Sequence, residues 1–219
     1  VVLPGFRLLE HAAIAVDRGI ILEIGDVDQI RTRYQPNQTI WAEGKLAMPG
    51  MYDCHTHTVQ QLLKGGTVDE PPIIWRRILV PYESHLTAED RYHAARLYCL
   101  QALRAGITMF ADAGSMDMTG TAQAVSETGI RAAIARVGRD LDPELPACMC
   151  DATAEKSISA METFYRDYHG TADGRIHVWF SLSSPMSSSP QLVEGVAQVA
   201  KSRNTGIHIH LGEHPAEVQ

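Results

Sequence analysis

Apolar and polar positions alternate over short stretches at the start of the chain. Residues 13–25, AIAVDRGIILEIG, contain two apolar runs on either side of Asp17-Arg18-Gly19, a pattern typical of a β-hairpin with a glycine in its turn. A polar stretch, residues 31–38, then precedes the short run Thr39-Ile40-Trp41. So few strand residues cannot bury a core alone. We therefore expect residues 1–47 to form a small β unit that packs on another part of the protein.

The pattern changes at residue 48. From there, short apolar or β-branched runs alternate with helical stretches, which is typical of βα units built around a parallel sheet. The strands are predicted at 48–57, 106–113, 131–138, 176–183 and 206–212. A closed barrel of this kind has eight strands. Residues 48–219 are therefore expected to be the first part of a (β/α)₈ barrel, truncated after the fifth strand.

Two helices have clear sequence signals at their ends. Thr87 and Asp90 have the spacing of a capping box, and a helix is predicted from Thr87 to 105, with Gly106 as its C-terminal cap. A second helix is predicted over residues 190–203, because Pro190 suits a first helical position and Ser189 a capping position.

The composition excludes several classes of protein. The chain has 219 residues and a net charge of −7, which argues against a nucleic-acid partner because such a partner requires a clustered basic face. No stretch approaches the roughly 18 apolar residues of a membrane span, and the first residues lack the pattern of a signal peptide. We expect a globular protein with neither a nucleic-acid nor a membrane partner.

The four cysteines are too few and too irregularly spaced for a disulfide framework. They are Cys54, Cys99, Cys148 and Cys150. The run Cys148-Met149-Cys150 leaves a metal clip open as an alternative, but free thiols in a reducing cytoplasm are the expectation.

The strongest local signal is Asp53-Cys54-His55-Thr56-His57, at the end of the first strand of the alternating region. Alternate side chains of a strand share a face, so His55 and His57 can point at one ion, and Asp53 lies on the same face. Active sites of parallel barrels gather at the C-terminal ends of strands, which favours metal ligands over a pair of hydrogen-bonded core histidines. Asp53 is expected to orient these ligands from behind or to accept a hydrogen bond in the core.

The segment His208-Ile209-His210-Leu211-Gly212-Glu213 ends the fifth predicted strand in the same way. Imidazoles from different strands can converge on one divalent cation, with a carboxylate nearby to move protons. His208 and His210 are two residues apart on one strand face. The spacing alone therefore leaves open which of them is a ligand.

These motifs resemble those of a known enzyme family. The D-x-H-x-H motif at 53–57, the segment GITMFAD at 106–112 and the H-x-x-E motif at 210–213 resemble the amidohydrolase superfamily. Its cytosine deaminase and chlorohydrolase-type branch, with methylthioadenosine/adenosylhomocysteine, guanine and pterin deaminases, is the most similar. The resemblance covers essentially the whole chain. It implies an α/β fold in which residues 1–47 belong to an N-terminal β-sandwich domain and residues 48–219 to a TIM-like (β/α)₈ barrel.

The resemblance also implies roles for individual residues. His55, His57 and His210 correspond to metal ligands, and Glu213 corresponds to the catalytic proton shuttle. His210 is favoured over His208 because only His210 has a glutamate three residues later. A histidine on strand six and an aspartate on strand eight of the family's barrel would complete the site.

The expected cofactor is one divalent metal ion, with zinc favoured and iron as the alternative. Binuclear members of the family bridge their ions with a carboxylated lysine on the fourth strand. Residues 176–184, IHVWFSLSS, contain no lysine. We therefore expect a mononuclear site.

Four further residues are substrate-binding candidates on the same resemblance. Glu83 and Arg136 match positions that contact the sugar or polar tail in methylthioadenosine and adenosylhomocysteine deaminases, and Trp75 matches an apolar wall. Ordinary packing for Trp75 and an ion pair for Arg136 are the alternatives. Ser183 stands where that subgroup has a substrate-binding histidine, and its serine-rich loop is closer to oxidised-guanine and pterin deaminases.

The resemblance implies a metal-dependent hydrolase of C–N bonds. The expected reaction is deamination of an aminated N-heterocycle of purine or pterin type by a metal-activated water. A chlorohydrolase or a cyclic-amide or amide hydrolase would use the same residues. A non-catalytic protein that binds a metal or a heterocycle is the alternative from another class. The expected partner is a small heterocyclic molecule, and a homo-oligomer is left open.

Overall fold

A computed structural model describes residues 1–70, 74–142 and 144–213. The chain divides into two compact units, Val1–Gly50 and Met51–Gln219. The division falls three residues after the boundary predicted from the change in pattern. Within the described residues, no helix combines the length and apolar character needed to cross a membrane.

The first unit contains the predicted hairpin. Strands β3 (Ala12–Asp17) and β4 (Ile20–Asp26) pair antiparallel around Arg18 and Gly19, while β1 (Val2–Leu3) and β2 (Arg7–Leu8) form a separate two-stranded sheet. Helix α1 (Val27–Arg33) follows directly and occupies part of the predicted polar stretch. Asp26 starts this helix, because its carboxylate accepts hydrogen bonds from the backbone N–H groups of the first turn. Two small sheets do not amount to a sandwich, so that expectation is not confirmed by the described residues.

The second unit is built on one parallel sheet. Its strands lie side by side in chain order, β5-β6-β7-β8-β9, each paired in parallel with the next. They are β5 (Met51–Thr56), β6 (Ile107–Asp112), β7 (Arg131–Gly138), β8 (Ile176–Leu182) and β9 (Ile207–Ile209). Five strands were predicted at these places, and all five are confirmed. The order and the helical crossovers are those of the first part of a (β/α)₈ barrel.

Helices connect successive strands. They are α2 (Val80–His85), α3 (Ala88–Arg104), α4 (Thr119–Thr128), α5 (Ala154–Tyr168), α6 (Thr171–Gly174, with two residues in left-handed backbone) and α7 (Pro190–Arg203). Shorter 3₁₀ segments occur at Pro4–Phe6, Thr58–Leu63, Ala147–Met149 and Pro185–Ser187, and a π-helical turn at Trp75–Leu79. The capping box of α3 and the serine cap of α7 are confirmed.

The core lies between the sheet and the helices. Phe110 of β6, Ile134 of β7 and Val178 of β8 pack against Cys99 of α3 and Val125 of α4, all of them buried. Alternate residues of each strand therefore face the helices, and the intervening ones face the other side of the sheet.

The sheet curls strongly from one edge to the other. β5 and β9 are its two edge strands, yet ring nitrogens of His55 on β5 and His208 on β9 lie 2.9 Å apart. A flat sheet would separate these strands by about four strand spacings of roughly 4.8 Å each. The curl brings side chains from both edges into one interior.

Candidate metal centre and active site

Three histidines converge at the C-terminal ends of the edge strands. His55 lies in β5, His57 follows that strand directly, and His210 follows β9. One ring nitrogen from each lies within 4.8 Å of the other two, and the group is able to hold a metal ion. These are the three residues that the sequence motifs indicate as ligands. Their ring centroids are 5.1 to 5.2 Å apart.

The hydrogen bonds of His210 determine which of its nitrogens is available. Its Nδ1 lies 2.8 Å from the carbonyl oxygen of Ser183. Because a carbonyl only accepts, Nδ1 carries the proton and Nε2 keeps its lone pair. That Nε2 lies 3.2 Å from Nε2 of His57. Imidazole nitrogens gathered in this way suit the donor preferences of zinc, so the residues present fit a divalent ion.

The surroundings favour neutral imidazoles. Burial, and then the neighbouring His210, lower the pKa of His57 to about 3, while a backbone hydrogen bond with Gly114 acts in the opposite direction. The pKa of His55 is also lowered, first by burial and then by His210. Neutral imidazole is the form that binds metals. The protein therefore holds these side chains in the ligand form at neutral pH.

His208 lies beside this group and contacts it differently. Its Nε2 faces Nδ1 of His55 at 2.9 Å, and its own Nδ1 is buried with no hydrogen-bond partner among the described residues. The ring also lies near Trp179 of β8, with centroids 6.5 Å apart. The spacing left open which of the two histidines is a ligand. The convergent group contains His210, whereas His208 contacts His55 at Nδ1.

Of the two roles expected for Asp53, the structure shows the hydrogen-bond acceptor in the core, and the side chain does not share the face of the imidazoles. Its carboxylate accepts a hydrogen bond from the Tyr98 hydroxyl of α3 at 2.6 Å and one from the backbone N–H of His55 at 3.1 Å. The register of β5 against β6 shifts between Asp53 and Thr56, and this bulge reverses the facing of the side chains. Asp53 therefore anchors the strand to the helical layer and holds the backbone of His55, not its ring.

The end of β6 supports His57 from the next strand. Asp112 is fully buried and accepts hydrogen bonds from Thr58 N at 3.0 Å, Thr58 Oγ1 at 2.5 Å and Gly114 N at 2.8 Å. Burial raises the pKa of Asp112 to about 6, although these donors oppose that shift. Of the two residues that donate to Asp112, Thr58 follows His57 in the chain and Gly114 forms a backbone hydrogen bond with the His57 side chain. This network fixes the backbone from which His57 projects.

Glu213 is exposed and follows His210 by three residues, after a bend with positive φ at Gly212. Its negative charge acts on His55, because it opposes the lowering of the pKa of that imidazole. The carboxylate therefore lies near the histidines, at the C-terminal end of the strands.

Comparison with known proteins agrees with this geometry. The amidohydrolase family model matches residues 46–219, which is most of the chain. The chain belongs to the amidohydrolase family. Among curated relatives, it is similar to a 5-methylthioadenosine/S-adenosylhomocysteine deaminase of Desulforamulus reducens, with 31% identity over 213 residues. That match covers 97% of this chain and 47% of the relative. The chain thus spans about half the length of the curated relatives it matches.

Solved structures confirm the fold of this amidohydrolase chain. An adenosine deaminase from Xanthomonas campestris with bound zinc has a TM-score of 0.83 and 23% identity, over 96% of this chain and 46% of that one. A variant of atrazine chlorohydrolase from Arthrobacter aurescens TC1, complexed with zinc and atraton, has a TM-score of 0.77 and 20% identity. It covers 97% of this chain and 50% of that chain. The five-stranded sheet is therefore the first part of an amidohydrolase barrel.

Of the substrate-binding candidates in this amidohydrolase, Ser183 contacts a metal candidate, and Trp75 packs on an apolar cluster. Ser183 directly follows β8, and its carbonyl accepts the hydrogen bond of His210. Trp75 is half-buried and packs on a small apolar cluster formed by Val80, Leu145 and Met149. The packing alternative for Trp75 is thus realised on one side of its ring.

Glu83 is buried and has several partners. Its carboxylate accepts hydrogen bonds from Gln60 at 2.7 Å and from Ser115 at 3.2 Å, and its backbone carbonyl accepts one from Arg91 at 3.0 Å. The exposed fraction of Glu83 is only 4%. In this structure its carboxylate is held inside the protein by these donors.

Arg136 occupies the alternative role that its sequence left open. It forms a two-pronged ion pair with Asp151, with distances of 2.5 and 2.7 Å, and its guanidinium also reaches Ser157 of α5 at 3.5 Å. Like Ile134, two residues earlier on β7, it faces the helical layer. The structure therefore does not bring Arg136 to the histidines.

A different arginine lies at the open end of β7. Arg139 directly follows the strand, is buried, donates a hydrogen bond to the Ser183 hydroxyl at 3.1 Å, and stacks over Trp75. The resemblance to known deaminases indicated Arg136 as a candidate, and Arg139 was not predicted. The available signal was its position just after a strand, where barrel enzymes place their functional side chains.

Proposed function

We propose that the complete protein is a metal-dependent hydrolase that removes an amino group from an N-heterocycle of purine or pterin type and releases ammonia. The observation that carries this proposal is the convergence of His55, His57 and His210 within 4.8 Å at the open end of the sheet. The family and the deaminases among the relatives support it. A closed (β/α)₈ barrel, and a β-sandwich domain to which residues 1–47 contribute, are parts of the same proposal.

The proposed cofactor is a single divalent ion, with zinc favoured over iron. When bound, such an ion supplies the Lewis acidity that makes water nucleophilic at neutral pH. The role of the chain is to present neutral imidazole nitrogens. The Ser183 carbonyl keeps the proton of His210 on Nδ1, and burial keeps His57 uncharged. The lysine-free strand β8 supports a mononuclear site.

Glu213 is the proposed proton shuttle. In the reaction, an oxygen of water forms a bond to the ring carbon and the bond from that carbon to the amino nitrogen breaks. Glu213 accepts a proton from the water and returns it to a ring nitrogen of the substrate. The second proton of the water goes to the amino nitrogen, which leaves as ammonia. The product keeps the water oxygen as an oxo group. Glu213 is exposed and lies near His55, so it can reach the water and the substrate without being one of the metal ligands.

The competing activities differ in the bond that breaks. A chloride on the ring carbon could leave in the same way, and an atrazine chlorohydrolase shares this fold. An amide hydrolase would release a carboxylate, and a binding protein would release nothing. Deamination is preferred because curated relatives similar to nearly the whole of this chain are deaminases.

A panel assay separates these activities. The complete protein, loaded with zinc, is incubated with aminopurines, adenosine derivatives, aminopterins, chlorotriazines and cyclic amides. We expect ammonia from at least one aminated heterocycle, with neither chloride nor carboxylate above background. Glu213→Gln serves as the matched control, since it preserves the shape of the side chain without its basicity. Chloride or carboxylate release that depends on Glu213, without ammonia release, would replace deamination by that activity.

A further inference from the structure

Arg139 has an environment unusual for an arginine. Its exposed fraction is 3%, and it directly follows β7. Its Nη1 donates to the backbone carbonyl of Met149 at 2.6 Å, and its Nη2 donates to the Ser183 hydroxyl at 3.1 Å. Its Nε is buried without a hydrogen-bond partner in the described part of the chain.

The charge of Arg139 has no ion-pair partner in the described part of the chain. Among the described residues, no carboxylate lies within 4.0 Å of its guanidinium, whereas Arg136 on the same strand forms an ion pair with Asp151. Burial lowers the pKa of Arg139, and the more distant charge of Glu83 only partly opposes this. An unpaired buried charge is costly in free energy, so a neutral side chain would be the cheaper choice if only packing were needed. The guanidinium is better explained by the groups that it holds in place.

Those groups belong to the candidate active site. The guanidinium carbon lies 4.7 Å from the centroid of the Trp75 ring, within range of a cation–π interaction. Ser183 accepts from Arg139 through its hydroxyl and from His210 Nδ1 through its carbonyl. One side chain therefore contacts two candidate substrate-binding residues, and a single residue separates it from a metal-ligand candidate.

We propose that Arg139 is a positioning residue that fixes Trp75 and Ser183 and, through the Ser183 carbonyl, the orientation of His210. The expected effect on substrate binding rests on the proposed function. The expected effect on metal binding rests only on the geometry of the histidines. The planar guanidinium is suited to the task because it donates in two fixed directions while its face stacks on an aromatic ring. A lysine keeps the charge but has neither the fork nor the flat face.

Arg139→Lys in the complete protein tests the proposal, with Arg175→Lys as the matched control. Arg175 directly precedes β8 and therefore lies at the opposite end of the sheet. Its guanidinium donates to the backbone carbonyls of Val125, Ser126 and Ile130. Both variants lose an arginine that binds backbone carbonyls. Unfolding midpoints are measured for each, together with zinc affinity by competition with a chelating dye.

We expect both variants to lower the unfolding midpoint, and only Arg139→Lys to weaken zinc binding. Removal of a hydrogen-bond partner behind a metal ligand typically costs 10–100-fold in affinity, and one residue intervenes here, so about 10-fold is expected. For a substrate found by the panel, KM should rise more than kcat falls. Zinc affinity unchanged from the wild type in Arg139→Lys would overturn the proposal.

A double-mutant cycle distinguishes positioning from general destabilisation. Ser183→Ala removes the hydroxyl that accepts from Arg139 and keeps the carbonyl that accepts from His210. If Arg139 acts through Ser183, the double variant should lose little more zinc affinity than Arg139→Lys alone. Full additivity would contradict the proposal. Because zinc affinity needs no substrate, a loss of affinity without any deaminase activity would refute the proposed function and leave the role of Arg139 standing.

Discussion

Gly114 offers a sharp test of how the end of β6 supports the site. Its φ is +97°, and a Cβ built there would lie 2.4 Å from the carbonyl oxygen of Ala135 and 3.2 Å from the nitrogen of Val137. Both are backbone atoms of β7, which is paired with strands on either side. Neither atom can move away without breaking the sheet. Gly114→Ala should therefore suffer both backbone strain and a steric clash.

Gly129→Ala is the matched control for backbone strain alone. Gly129 has a φ of +83°, and a Cβ there would meet nothing within 4 Å. A left-handed conformation costs a non-glycine residue about 1–2 kcal/mol, which both variants should lose. Overpacking typically costs about 1–3 kcal/mol more, and a contact of 2.4 Å with backbone belongs at the upper end of that range. Gly114→Ala should thus lose roughly 3–5 kcal/mol of unfolding free energy.

The measurement is urea unfolding of the complete protein, with zinc content determined on the same preparations. Gly114 also donates to Asp112 and shares a backbone hydrogen bond with His57, so its variant should bind zinc more weakly as well. Gly129→Ala should keep the zinc content of the wild type. Equal unfolding midpoints for the two variants would show that β7 gives way and that the reasoning about this contact is wrong.

Three other predictions concern the site directly. Glu213→Gln should keep normal zinc content and reduce the rate of ammonia release by about 10²–10⁴-fold, as expected for a general acid–base group. Loss of the metal instead would make Glu213 a ligand. Elemental analysis should find about one metal ion per active subunit, because β8 has no lysine to bridge two. The pKa of Asp112 is raised to about 6, so the folded protein binds this proton more tightly than the unfolded chain does. The resulting stabilisation is present at low pH and is lost as pH rises through about 6. Between pH 5 and pH 7 the unfolding free energy of the wild type should fall by about 1 kcal/mol relative to Asp112→Asn, and parallel curves for the two proteins would refute this.

Much of this fold could be predicted because its signals are local. The capping box at Thr87 and the serine cap at Ser189 depend on residues three apart, and the strands on continuous apolar runs. The facing of Asp53 could not be predicted, because a bulge that depends on pairing with β6 interrupts the alternation. The partners of Arg139 were also hidden, since Trp75 lies 64 residues before it and Ser183 lies 44 residues after it.

Ser183 connects the question of substrate with the question of geometry. The resemblance to methylthioadenosine and adenosylhomocysteine deaminases puts a substrate-binding histidine at this position, and here the carbonyl and the hydroxyl of the serine each accept a hydrogen bond from the protein. Its carbonyl accepts from His210 and its hydroxyl oxygen accepts from Arg139, which leaves the hydroxyl proton as the group that can donate to a substrate. A histidine at 183 would keep the carbonyl contact but would displace the guanidinium that stacks on Trp75. The serine and the buried arginine are therefore one arrangement, and we expect a change at either position to alter the contacts of the other.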